Sequence, residues 1–223
     1  MAEVRRKRLT RLLREVNETI GFEQPGLKAT SGTDSIFVDG TYFLKIDDFI
    51  SQGPIAQYEI KIRFPMKFPQ MEPVVCETGK TIPHDPDYHI NPDGTCCIVI
   101  WEIWKLSTKN VSIQTYFDGP LKNFFFGQYT KKNTGEWPFG EEKHGKAGII
   151  NAFAKRLLCN SNEKEVLNHL QFLLTDKFKT KLACPCGSRK ISKECCVERL
   201  ARLKKEISKQ NAREMLLRLK SCG

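Results

Sequence analysis

The run Tyr58-Glu59-Ile60-Lys61-Ile62-Arg63-Phe64 alternates apolar and charged side chains without interruption. A period of two places all the apolar members on one face of a β-strand, so this segment reads as a half-buried strand. Shorter runs supply its neighbours. Residues 36–38 and then Tyr42, Leu44 and Ile46 have strand character, with Asp39-Gly40 between them as a hairpin signal, and residues 74–76 add a further strand. Together they predict an antiparallel meander of about four strands. Between 64 and 92 lie Pro65, Pro69, Pro73, Pro83, Pro86 and Pro92, so that stretch runs extended along a surface.

Helical spacing frames this sheet. Leu9, Leu12, Leu13, Val16 and Ile20 make an amphipathic first helix ending near Gly21, its outer face basic. The pattern returns over 111–126 and 147–158, with a glycine-rich loop over 127–148 between them. It returns again from Asn160, where Glu163 completes a capping box ahead of Val166, Leu167, Leu170, Leu173 and Leu174. A linker over 175–183 leads to a cysteine-rich segment, and 197–219 reads as one long basic amphipathic helix. The expectation is an α+β fold in two parts, 1–180 and 181–223.

With 223 residues, 40% of them hydrophobic and 28% charged, the chain has the composition of a packed protein. Its longest apolar run, 96–101, is far shorter than the ~18 residues a membrane-spanning helix needs. No apolar core of a signal peptide follows the basic start, so the reading places the protein in the cytoplasm, away from membranes. The net charge of +10 is uneven: residues 1–14 carry +5, residues 184–223 carry +7, and the rest carries −2. Basic ends on a near-neutral body suit acidic partners. Nucleic acid ranks last among these, because 184–223 lacks the interleaved aromatics of a single-strand reader.

Nine cysteines with no export signal argue for metal or thiol chemistry rather than disulfides. Cys184 and Cys186 are followed, after eight intervening residues, by Cys195 and Cys196. Four thiolates so close in sequence suit tetrahedral zinc, with Gly187 permitting the turn and Arg189, Lys190 and Lys193 offsetting negative charge. A site closed by four cysteines leaves no position for substrate, so the zinc is expected to be structural. The stretch 184–196 resembles the SEC-C zinc motif, which implies a small partner-docking knuckle.

The central segment His89-Ile90-Asn91-Pro92-Asp93-Gly94-Thr95-Cys96-Cys97-Ile98 sets a thiol just after a turn and beside polar residues. With Phe64-Pro65, Phe68-Pro69 and Pro73 upstream and Trp101 and Trp104 downstream, it resembles the ubiquitin-conjugating enzyme family. The resemblance covers 3–175 in the order of elements and 60–104 in motifs. It implies a ubiquitin-conjugating-like fold with Cys97 as the thioester-forming nucleophile, favoured over Cys96. It also implies His89 as a structural histidine and Asn91 as the donor that stabilises the oxyanion. Two departures stand out: Ile90 replaces the family's proline, and Asn91 lies six positions before the cysteine where eight is usual.

The loop from Gly135 through Trp137, Pro138 and Phe139 to Gly145 looks like that of bacterial relatives, with His144 a candidate for positioning or deprotonating an attacking amine. Those relatives resemble components of antiphage defence operons, including cyclic-oligonucleotide signalling systems. The resemblance therefore implies a carboxyl donor that is a ubiquitin-like protein or the C terminus of a nucleotidyltransferase. It also implies an activating enzyme that meets the basic first helix, and no diffusible cofactor. The competing reading is an inert adaptor of the same fold that docks a partner through the zinc knuckle.

Overall fold

The computed structural model describes residues 2–46, 53–140, 144–175 and 181–221. The chain forms two compact units, one made of residues 1–99 and 110–141, the other of 100–109 and 142–223. No helix among the described residues is long and apolar enough to cross a membrane.

In the first unit helix α1 (Ala2–Glu23) precedes strands β1 (Leu27–Ser31), β2 (Ser35–Leu44), β3 (Ala56–Pro65) and β4 (Val74–Glu77). The strands pair antiparallel in sequence order, the expected four-stranded meander. The alternation in β3 works as its period requires: Tyr58, Ile60, Ile62 and Phe64 are buried and their charged neighbours are not. Leu9, Leu12, Val16 and Ile20 give α1 its buried stripe. The helix runs two residues beyond Gly21. Two of its cations reach beyond the helix, Arg5 Nε donating to the Thr33 carbonyl (2.9 Å) and Arg8 to Gln70 Oε1 (3.0 Å), while Lys7, Arg11 and Arg14 pair along it with Glu3, Glu15 and Glu18.

Asp39-Gly40 is not a hairpin. Both residues lie inside β2, with Asp39 opposite Lys61 and Gly40 opposite Ile60. Glycine is needed there for another reason: its φ is 124°, and a Cβ would stand 2.2 Å from the Gly26 carbonyl oxygen. The hairpin that opens the sheet joins β1 to β2 instead, and sequence reading missed β1 because Lys28, Ala29, Thr30 and Ser31 form no apolar alternation.

Beyond the sheet, the unit continues through α3 (Ile113–Tyr116), a π-helical turn (Phe117–Leu121) around Pro120, and α4 (Lys122–Thr134). Phe125 of α4 packs on Tyr42 and Tyr58 of the sheet at ring distances of 4.9 and 4.6 Å. The helical stretch expected over 111–126 thus runs eight residues further. Gly127 is helical rather than the start of a loop, and Gly135, with positive φ, closes α4.

The second unit comprises α2 (Trp101–Ser107), α5 (Gly145–Leu157), α6 (Glu163–Leu174), α7 (Val197–Glu206) and α8 (Lys209–Ser221). The cap of α6 is Asn162, whose Oδ1 accepts from the Glu165 amide (3.2 Å). Asn160 instead donates to the Glu165 carboxylate (2.8 Å), so the capping box expected from Asn160 and Glu163 does not form. The single helix expected over 197–219 is two. Ile207 takes an extended conformation with its side chain buried, and the Ser208 hydroxyl caps the next turn by accepting from the Asn211 amide (3.1 Å).

That break lets Ala212, Met215 and Leu219 join Phe153, Leu157, Leu170 and Leu203 in one core. Because α8 packs on α2, α5 and α6, the compact units do not coincide with a division at 180/181. Most of the linker expected over 175–183 lies outside the described residues.

Candidate functional site

Pro92, Asp93 and Gly94 form the tip of a tight β-hairpin. Gly94 N donates to the Asn91 carbonyl (2.9 Å), Asn91 N to the Thr95 carbonyl (2.8 Å), and Gly94 has φ 81°. This is a three-residue hairpin loop with its glycine in the left-handed position, which explains Pro-Asp-Gly there. Ile90 pairs with Cys96, and Cys97 N donates to the His89 carbonyl (2.8 Å). Alternation then divides the side chains: Ile90 and Cys96 are buried on one face, while Asn91 and Cys97 are exposed on the other.

The two cysteines therefore differ in chemistry. Cys96 is 8% exposed, its amide donates to the Val75 carbonyl (2.7 Å), and burial, with Cys76 and Glu77 nearby, pushes its thiol up to about 12. Cys97 is exposed. On its face a short relay runs from Asn91 Nδ2 to Thr95 Oγ1 (3.0 Å), and from the Thr95 hydroxyl to Asp93 Oδ1 (2.6 Å). The Thr95 hydroxyl and amide hold the Asp93 carboxyl below its ordinary range. One of the two N–H donors of the Asn91 amide is thus committed to Thr95.

The hairpin is braced by Gln128 and Trp137, to which the sequence assigned no role there. Gln128 of α4, itself buried, donates from Nε2 to the Tyr88 carbonyl (2.7 Å). The His89 backbone is left-handed, with φ 55°, and its ring meets Trp137 edge-on at 4.8 Å. Trp137 folds back against Gly127, where a Cβ would come within 2.9 Å of the indole, and Lys131 Nζ lies 5.7 Å over the ring. The available signal was a tryptophan in a turn-rich loop, a side chain too large to be left in solvent without a docking place. His84 lies beside Gly94, its Cε1 3.5 Å from where a Cβ would be.

His144 belongs to the second unit, where its extended backbone precedes α5 and its carbonyl accepts the Gly148 amide (3.4 Å). The same unit holds the C-terminal cysteines. Cys184 N donates to the Lys190 carbonyl (2.8 Å), Ala183 pairs with Ile191, and Gly187 and Arg189 both take positive φ, which closes the loop. The Sγ atoms of Cys184, Cys186, Cys195 and Cys196 all lie within 4.8 Å of one another, so the four can hold a metal ion. Cys186 lies 3.3 Å from Cys184 and 3.5 Å from Cys195, and Cys195 lies 3.5 Å from Cys196. Burial works to raise the Cys186 thiol, but hydrogen bonds from Ser188 and the neighbouring thiols prevail and bring it down to about 6.

No protein-family model matches the chain, and no curated protein sequence matches it.

Proposed function

We propose that the protein is a ubiquitin-conjugating-like acyl transferase with Cys97 as its nucleophile. The observation that carries the reading is the hairpin, which exposes Cys97 on the same face as Asn91 and buries the adjacent Cys96 behind it. In the first step the Cys97 thiolate attacks an activated carbonyl carbon. The Cys97 S–C bond forms and the activating group leaves with its electron pair. In the second an amine attacks the thioester, the C–N bond forms, the S–C bond breaks, and the amine's proton passes to a base. Negative charge gathers on the carbonyl oxygen each time, and the remaining N–H of Asn91 would meet it, an interaction of ~2.7–4 kcal/mol in comparable sites. The proposed carboxyl donor is a ubiquitin-like protein or the C terminus of a defence nucleotidyltransferase.

We further propose that the C-terminal cysteines hold structural zinc. Tetrahedral Zn–S bonds of about 2.3 Å require S···S edges of about 3.8 Å, close to the spacing of this donor set. With four thiolates bound, no coordination position remains for a substrate.

The commitment of one Asn91 N–H to Thr95 favours a second reading, an inert adaptor of the same fold. Intact-mass spectrometry of the protein co-expressed with its genomic neighbours separates the two readings. A thiol-sensitive adduct present in wild type and Cys96→Ala but lost in Cys97→Ala identifies the enzyme and, from its mass, the donor. No adduct in any variant, with the neighbours expressed, leaves the adaptor.

A further inference from the structure

We infer that Arg199 is the positioning residue of the four-cysteine site, its guanidinium joining the Cys196 sulfur to a socket formed by Leu158 and His169. The inference rests on the metal reading above and adds the residue through which a bound metal is coupled to α5 and α6. Arg199, on the first turn of α7, donates from Nη2 to Cys196 Sγ (3.1 Å), approaches His169 Nε2 with the same nitrogen (3.3 Å), and donates from Nη1 to the Leu158 carbonyl.

Each side of the socket is shaped for a cation. A guanidinium only donates, so His169 Nε2 accepts, and the ring proton sits on Nδ1, which donates to the Glu165 carbonyl (2.8 Å). His169 is fully buried, and burial lowers its pKa, in keeping with a neutral ring. Leu158 ends α5 in the left-handed region, with φ 54°, a costly conformation for a bulky side chain. The Arg199 bond to its carbonyl compensates part of that cost.

Cys159, Glu165 and His169 offer ligand atoms within 4.8 Å of one another and could be taken for a second metal site. The geometry favours the socket: His169 Nδ1 is committed to a carbonyl, and the one nitrogen left for a metal already faces Arg199. A divalent ion surrounded by four thiolates carries a net charge of −2, and Arg199 supplies a cation and an N–H···S bond to one of them.

The test is titration of the full-length, metal-stripped protein with Co2+, followed by competition with Zn2+. Wild type is expected to take up one equivalent with a thiolate charge-transfer band. No uptake overturns the metal reading itself and the inference with it. Arg199→Gln removes both the charge and the fork. Arg199→Lys keeps the charge but cannot span three acceptors. Both are expected to bind about 10–100-fold more weakly with the tetrahedral spectrum retained, the range seen when partners of metal ligands are removed. Uptake by wild type with affinity within twofold in whichever of the two variants folds overturns the Arg199 role alone. Glu165→Gln is expected to leave one equivalent bound, and a second wild-type equivalent that it abolishes overturns the socket.

Discussion

Cys96 and Cys97 are consecutive residues on opposite faces of one hairpin strand. The Cys96 amide donates to Val75 and its thiol lies behind the hairpin; the Cys97 amide donates to His89 and its thiol lies in front. Alkylation should separate them. At pH 8 iodoacetamide is expected to modify Cys97 at least about tenfold faster than Cys96, since only the thiolate reacts and burial suppresses it at Cys96. Peptide mass mapping over a time course reads the two rates, and comparable rates would contradict the assignment of faces.

The same burial makes the fold sensitive to alkali. The Cys96 thiol titrates near 9.0 when unperturbed and at about 12 in the fold. Between those values the unfolded chain has released the proton and the folded chain has kept it, so the unfolded state binds fewer protons and stability falls as pH rises. The limiting slope is about 1.4 kcal/mol per pH unit. Urea midpoints of wild type and Cys96→Ala measured from pH 8 to 10.5 should therefore converge as pH rises. Parallel profiles would remove Cys96 as the cause.

Trp137 reaches His89 only because residue 127 has no side chain. Gly127→Ala places a methyl group 2.9 Å from the indole, inside van der Waals contact, so the ring must move. A loss of about 1–3 kcal/mol is expected, the usual cost of overpacking, together with a change in tryptophan fluorescence. The double variant Gly127→Ala/Trp137→Ala should lose less than the sum of the singles, because the methyl group then meets no ring. Additive losses would place the cost elsewhere.

How much of this could be read in the sequence depends on the range of the interaction. The face of β3 and the stripe of α1 follow from spacing alone, as does the glycine at the tip of the 92–94 loop. Gly40 looked like a turn because glycine after aspartate usually is one, but the residue that demands it, Gly26, lies fourteen positions away. The break at Ile207 was hidden because an apolar residue in helical register can leave the helix and still be buried. At the sites, Cys97, Asn91 and the four C-terminal cysteines were visible as local patterns. Gln128 and Trp137 meet Tyr88 and His89 forty or more residues away, and Arg199 joins Cys196, three positions off, to Leu158 and His169, thirty or more away, contacts that spacing along the chain does not reveal.

Lys105 of α2 and Glu214 of α8 form an ion pair at 2.5 Å with side chains 13% and 17% exposed, and Gln210 donates to the other carboxylate oxygen (2.8 Å). Removing one partner leaves a largely desolvated charge, so Lys105→Met is expected to cost about 3 kcal/mol. Replacing both, as Lys105→Met/Glu214→Leu, is expected to cost less than that single change, since no charge is left unpaired. Chemical denaturation of the four-member cycle gives the coupling energy. A single-variant cost below about 0.5 kcal/mol would mean that the pair behaves as a surface contact.

The relay from Asn91 through Thr95 to Asp93 decides what Asn91 does. Thr95→Val keeps the shape of the side chain and removes the acceptor that orients the Asn91 amide. If Cys97 forms the proposed thioester and Asn91 serves the oxyanion of both steps, loading and transfer to an amine should each slow about tenfold in Thr95→Val. Asn91→Ala, which removes the donor outright, should slow transfer by about 10²–10³-fold. Single-turnover discharge of the preformed thioester separates loading from transfer. Equal discharge rates in wild type and both variants would reduce Asn91 to the residue that starts the turn, and oxyanion stabilisation would have to come from other groups.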